Sequence, residues 1–498
     1  MILAWSFFAV NVFGYFAISN ESDLIKKKAN LHSEEIVAVI SIFLPIGGWL
    51  ADAYFGRYKV ILCGMWIMWL GTMLNGISLV TSMVVLSYKE YGHPWISIGF
   101  KAIMGAGFGV FQANIIQFGI DQLLDASSKE ITSFITWYTV TVFTSCTVMF
   151  ISTHCTPDYA AVLVVTVCLS LALCSNFIFN HWLVKENIIN NPLPQIRKVV
   201  QYTIRNRHQL QRIPSSEEHE DRGALSRFNI AKAIYAGPFT TEQVEDVKTF
   251  FRIMGIIAIF MIACSGIASI YTARNQIVQH LHNWPVSCYK QLNILWLSTN
   301  FLLAVVLGYK LIIQPLLLPK VNLSITTKFI IAVFFHLMSI IALLGIESIS
   351  YHYRVEKNQN VSRCLLSNSD GSQVDINVYW ITIPGAMNGI SLFVFFLSGI
   401  EFICAQAPFN MKGIIFGLAY PLYGLGTLIQ SVLSIPFLNK NQSAWWERAP
   451  LTCGIWYFII QMIIVTTSFI AVLVLIKRYR QRERNNAILK RSDTQTDW

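Results

Sequence analysis

The chain has 498 residues, of which 54% are hydrophobic and only 13% charged, where soluble domains carry about 25% charged residues. That shortage excludes a disordered chain and argues against an ordinary soluble enzyme, and the formal charge of +10 is subordinate to an apolar bulk that points to a membrane, not to nucleic acid. Ten cysteines without a CxxC pair suggest neither a disulfide scaffold nor a zinc site. A spanning helix takes about 20 mostly apolar residues. Twelve such stretches follow one another at 2–18, 35–54, 59–87, 96–120, 131–152, 159–184, 249–273, 292–316, 326–346, 377–400, 412–438 and 453–476.

The longest polar interruption, 185–247, separates six spans from six. The expected architecture is an all-α polytopic membrane protein with a six-helix half at 1–184, a cytoplasmic linker at 185–247, a second six-helix half at 248–476 and a basic cytoplasmic tail at 477–498. Two six-helix halves joined by a polar loop resemble the major facilitator fold. Met1 enters the first span almost at once and shows no cleavable-signal pattern, an abrupt start that suggests a missing tail. Lys and Arg bias favours cytoplasmic termini, with Lys477-Arg-Tyr-Arg-Gln-Arg-Glu-Arg484 set against an anionic leaflet or simply solvated. The expected location is the plasma membrane or an endolysosomal membrane. Sequons at Asn20, Asn360 and Asn441 fall in outer loops and are candidate glycosylation sites, whereas Asn322 falls inside. The GxxxG pairs Gly105/Gly109 and Gly413/Gly417 read as helix contacts within one chain rather than dimer motifs.

Between the second and third spans stands Gly47-Gly-Trp-Leu-Ala-Asp-Ala-Tyr-Phe-Gly-Arg-Tyr-Lys59. Asp52 can pair with Arg57 or face a helix N-terminus, and Gly56 permits the tight turn. A plain two-helix turn with surface charges is the simpler alternative. The full G-x-L-A-D-x-x-x-G-R pattern favours a gating latch between the halves. With three residues between Asp52 and Gly56, this loop resembles that of the proton-coupled oligopeptide transporters, solute carrier family 15. Ala113-Asn-Ile-Ile-Gln-Phe-Gly-Ile-Asp-Gln122, Val244-Glu-Asp-Val-Lys248 and Gly399-Ile-Glu-Phe-Ile-Cys-Ala-Gln-Ala-Pro-Phe-Asn-Met-Lys412 are similar to the same family's signatures, in the same order.

The resemblance implies a cavity between the halves, alternating access, and a proton as coupling ion for a small-molecule or short-peptide substrate, with the lipid bilayer as partner and no cofactor. It implies that Glu401 faces the cavity, contributes to binding the substrate amine and affects gating. A carboxylate within a span is costly and is usually functional, although one near a helix end can be solvated or structurally paired. Arg274, near the outer end of the seventh span, is a candidate partner for Glu401, or snorkels to the surface. Departures from the family lie in the first, fourth and fifth spans. Asn11 and Val12 stand where the family's E-x-x-E-R has its second Glu and its Arg. Gln112 stands where the family has a carboxylate-binding Lys, and Tyr138-Thr-Val-Thr-Val-Phe143 replaces F-Y-x-x-x-N. Asn11, Gln112, Tyr138, Arg274 and Glu401 are therefore the substrate and coupling candidates. Joint loss of the charges is coherent, because an orphaned lysine in a membrane is expensive. His336 titrates near neutral pH when free, but packing is the commoner role for such a residue. Two further readings are a transporter-derived sensor or scaffold, and an uncoupled facilitator. No G-x-S-x-G, H-E-x-x-H or P-loop suggests an enzyme.

Overall fold

A computed structural model describes residues 34–85, 94–123, 130–141, 158–185, 191–206, 227–258, 281–282, 324–356, 374–419, 421–422 and 453–478. The first helix, α1 (Glu34–Leu50), runs on through one wide turn, Ala51–Phe55, in which the Gly56 N–H reaches back to the Ala51 carbonyl at 3.2 Å. Gly56 has φ 79°, a value that glycine adopts without a Cβ clash, and the chain reverses there into α2 (Arg57–Val85). The N-terminal half continues with α3 (Pro94–Asp121), α4 (130–141) and α5 (Asp158–Ile178). The linker holds α6 (Pro192–Arg205) and leads into α7 (241–258). The C-terminal half holds α8 (Ile325–Glu356), α9 (Thr382–Gln406), α10 (412–419) and α11 (Cys453–Arg478). Among the described residues, four segments are long and apolar enough to cross a membrane: Arg57–Ser78, Ala102–Asp121, Ile325–Ser350 and Tyr379–Gln406. The protein is thus a multi-pass, all-α membrane protein.

Close backbone approach organises the latch end of the molecule. A Cβ on Gly47 would stand 2.6 Å from the Val110 Cα of α3, and one on Gly107 2.6 Å from the Met68 nitrogen of α2. The second glycine of each GxxxG pair packs on α1: Gly109 lies against the Ile40 carbonyl and Gly417 against the Leu44 carbonyl. They are contacts within the chain, where small residues let helices touch. α1 therefore lies between α3 of its own half and α10 of the other.

Several helix boundaries differ from the hydropathy reading, and two have a clear cause. α8 runs ten residues beyond 346 because Glu347 and Ser350, polar enough to end an apolar window, are buried rather than solvated. α9 starts late, at Thr382, because Val374–Asn377 forms strand β2, which pairs in parallel with β1 (Leu281–His282). The Asn377 side chain then caps the following turn by accepting the Tyr379 N–H at 3.1 Å. α9 ends at Gln406, just ahead of Pro408, which has no N–H to continue a helix.

The described residues of 185–247 hold regular structure. Asn191 caps α6 by accepting the Leu193 N–H at 3.2 Å, and Pro192 occupies the first turn. Ile196, Val199 and Thr203 make a buried stripe, while Arg197, Lys198 and Arg205 are exposed. The Tyr202 and Phe239 rings meet edge to face at 6.1 Å, and Val244 and Val247 of α7 are fully buried.

Candidate functional site

The residues of the candidate latch are brought together. Asp52 lies on the wide turn, Arg57 opens α2, and Asp121 closes α3. Arg57 Nη1 donates to Asp121 Oδ2, and Arg57 Nη2 lies 3.6 Å from Asp52 Oδ1. Asp52 Oδ2 accepts the backbone N–H of Ile414, at the start of α10, at 3.1 Å. Asp52 therefore takes both roles expected of it, facing a guanidinium and a helix N-terminus. Gly413 makes room for it, since a Cβ there would stand 2.8 Å from the carboxylate oxygens. Gln117 Nε2 holds the other Asp121 oxygen at 2.8 Å. One guanidinium thus neutralises two buried carboxylates, and the Asp52–Ile414 bond joins the N-terminal half to the C-terminal half.

The fourth-span motif works around this latch. Asn114 Nδ2 donates to the Gly47 carbonyl at 3.1 Å, tying α3 to α1. Phe118 packs on the Tyr58 ring at 5.8 Å. Gln122 Nε2 donates to the Val184 carbonyl, and its Oε1 accepts the Val184 N–H, both at 2.9 Å.

Glu401 is buried near the latch end of α9, with its side chain 6% exposed. The cation found on it is Lys328, not Arg274: Lys328 Nζ donates to Glu401 Oε2 at 2.6 Å. Lys328 sits in the first turn of α8. α8 enters the half at the end where α9 leaves it, so the two side chains meet across antiparallel neighbours. Glu401 Oε1 is buried without a hydrogen-bond partner. Phe329 and Phe402, the residues next to the pair, meet edge to face at 6.2 Å and wall it off.

Gln112 and Tyr138 are brought together. Gln112 Nε2 donates to the Tyr138 hydroxyl at 3.0 Å, and both side chains are buried. Where the resemblance implied a charged lysine there is a neutral amide–phenol bond between α3 and α4. Thr139 turns its hydroxyl back to the Ile135 carbonyl of its own helix at 2.8 Å. Asn11, Asn20, Arg274, Asn360 and Asn441 lie outside the described residues.

Two further features escaped the sequence reading. Glu347 is a fully buried carboxylate of α8. The Val244–Lys248 motif forms a clasp in which Glu245 Oε1 accepts from Lys248 at 2.6 Å and from Lys232 of the linker at 2.7 Å, while Lys248 also donates to Asn229. Partial burial alone would raise the Glu245 carboxyl, but the hydrogen bonds from Lys232 and Lys248 outweigh it and hold the group below its ordinary range. Among the described residues no group of His, Cys, Asp and Glu is arranged to hold a metal ion.

The family model for PTR2, the POT family, matches residues 58–446. Several solved structures share the fold. A crystal structure of the POT family transporter PepTSo is 13% identical, with a TM-score of 0.66 over 97% of this chain and 98% of that one. An auto-inhibited POT family peptide transporter is 14% identical, with a TM-score of 0.63 over 97% and 98%. A POT family transporter in complex with 5-aminolevulinic acid is 12% identical, with a TM-score of 0.58 over 96% of each. A signature set that runs from Gly47 to Lys412, a latch joining two helical halves, and a family match across most of the chain lead to one assignment: this protein belongs to the POT family of secondary active transporters, with the major facilitator fold, and is not an enzyme.

Proposed function

We propose that the protein moves short peptides or related small polar substrates across the membrane by alternating access, with the proton as driving ion. The observation that carries the reading is the Asp52–Ile414 bond, which closes one end of the molecule by joining α1 to α10. Such a bond between halves has to open for the opposite access state. Latch and linker then lie on the cytoplasmic side, as do both termini, with twelve spans divided at 185–247 as the sequence suggests. Asn20, Asn360 and Asn441 are then outer glycosylation sites. The relatives' ligands support a site that tolerates varied shapes, since one holds 5-aminolevulinic acid and another a thioalcohol-conjugated peptide.

Glu401 acts in this scheme at the inner end, through Lys328, rather than as a free carboxylate in the middle of a cavity. A proton on Glu401 cancels its charge and releases Lys328, which loosens the inner ends of α8 and α9. Gln112 and Tyr138, with Asn11 and Arg274, are the proposed substrate contacts. The departures at Asn11, Gln112 and Tyr138 group the chain with the divergent orphan fifth member of solute carrier family 15.

Purified protein in proteoliposomes, given labelled dialanine and an acid-outside gradient, tests the reading. Accumulation that collapses in Glu401→Gln is the expected result. No uptake of dialanine, of any other dipeptide, or of single amino acids would overturn it. The neutral Gln112–Tyr138 pair favours a second reading, an uncoupled facilitator, for which uptake is equal with and without the gradient and never exceeds equilibration.

A further inference from the structure

A proton-driven cycle needs groups that gain and lose a proton, and the C-terminal half holds a second buried carboxylate besides Glu401. Glu347 lies on α8 about 28 Å along the helix axis from Lys328, at 1.5 Å per residue. The two carboxylates therefore mark opposite ends of one half. Glu347 is 1% exposed inside the apolar segment Ile325–Ser350.

Its surroundings form a seam. His336, Ser339, Leu343, Glu347 and Ser350 follow one another at helical spacing and are all fully buried. The opposite face of α8 carries Phe334, Ile341 and Ile349, which are exposed and suited to lipid. Ser339 Oγ donates to the Pro384 carbonyl of α9 at 2.8 Å, and His336 lies against Asn388 of α9. α11 packs on the same helix and buries Gln461. Leucine would fill such a position at lower cost. An ionisable side chain within a span, turned toward the helix bundle instead of lipid, is usually functional.

The other titratable and charged groups on these elements are few. By sequence, α8 itself carries Lys328 and His336, then Tyr351, His352, Tyr353, Arg354 and Glu356 near its far end. α9 contributes Glu401 and Cys404 at the latch end, α11 contributes Cys453 and Tyr457 with Lys477 and Arg478 at its C-terminus, and β2 contributes Asp375.

We propose that Glu347 is a proton-loading site of the transport cycle. One proton from water on the side opposite the latch adds to the carboxylate, and the same proton returns to water later in the cycle. Only an O–H bond forms and breaks. The hydroxyls and amides of the seam serve as hydrogen-bond partners as α8, α9 and α11 repack. The inference rests on the proton-coupled reading above.

The test needs no transported substrate. Wild-type protein in proteoliposomes is treated with dicyclohexylcarbodiimide, which captures protonated carboxyls in apolar surroundings, at about pH 6 and about pH 8. The modified residues are then located by mass spectrometry. Glu347 is expected to be labelled several-fold more at the lower pH. Glu347→Gln is expected to remove that label and Glu347→Asp to restore its pH dependence. Absence of label on Glu347, or equal labelling at both pH values, would overturn the proposal, since a permanently ionised or permanently protonated acid loads no proton. Because labelling is read without substrate, it can fail while dialanine uptake succeeds, or succeed while uptake fails.

Discussion

The two halves bury different chemistry. Away from the latch, the described helices of the N-terminal half bury neutral polar groups that donate to close neighbours: Gln112 to Tyr138, Asn114 to Gly47, and Thr139 to its own helix. The C-terminal half buries His336, Glu347 and Glu401, the last paired with a partly buried Lys328. A neutral interior keeps the same hydrogen bonds whatever the pH, whereas an interior that holds ionisable side chains has charges that must be paired or neutralised. The asymmetry suggests a division of labour, with one half as a frame that is indifferent to pH and the other as the half that responds.

The sharpest way to break this contrast is at the ion pair. Lys328→Met should leave Glu401 buried and unpaired, at about 3–5 kcal/mol of stability. The double variant Lys328→Met/Glu401→Leu should recover most of that loss, because an apolar pair of similar volume removes the stranded charge. Thermal and denaturant unfolding in detergent would measure both. A double variant no more stable than the single one would show that the pair is not an electrostatic unit.

Gly48→Ala probes the seam between halves. Its Cβ would stand 2.2 Å from the Gly413 carbonyl, and overpacking of this kind costs about 1–3 kcal/mol. The same unfolding assay should show the loss, together with an opening of α1 from α10 visible as faster thiol labelling of Cys404. In the neutral half, Tyr138→Phe should cost only about 1 kcal/mol, with the same deficit at every pH between about 5 and 8. A deficit that varies with pH would mean that the N-terminal half is not the indifferent one. The smallest effect is expected at the linker clasp. The Glu245 carboxyl is held low in the folded protein, so its contribution is present above the unfolded-state value and is lost as pH falls through the folded one. Glu245→Gln should therefore flatten only the acid limb of the stability–pH profile.

The Asp52–Arg57 pairing and the turn at Gly56 were legible in the sequence because these residues are close together in the chain and each has a geometric reason: a carboxylate for the guanidinium, a glycine for a turn with positive φ. The partner of Glu401 was not. Lys328 is 73 positions away and lies at the start of an apolar run, and only the antiparallel placement of α8 and α9 brings it to the carboxylate. Glu347 was hidden for a related reason. Hydropathy ends a span at the first polar residues, and Glu347 looks like a boundary when it is in fact interior. The Gln112–Tyr138 bond was half visible: the loss of the lysine could be read, while the replacement partner on α4 depended on the helices' relative rotation.

The glycine floor at Gly48 and Gly413 bears on turnover. Two helices that touch backbone to backbone bury few apolar side-chain atoms, and burial contributes about 25 cal/mol per Å² of apolar surface. Parting them forfeits mainly a few directional bonds, of which Asp52 to Ile414 is one, and those bonds can be exchanged for water. A seal built from interleaved leucines would hold tighter and reopen more slowly. A seal built from bare backbone and one capped helix end suits a closure that is made and broken once per transported molecule, on the microsecond-to-millisecond scale of domain motions.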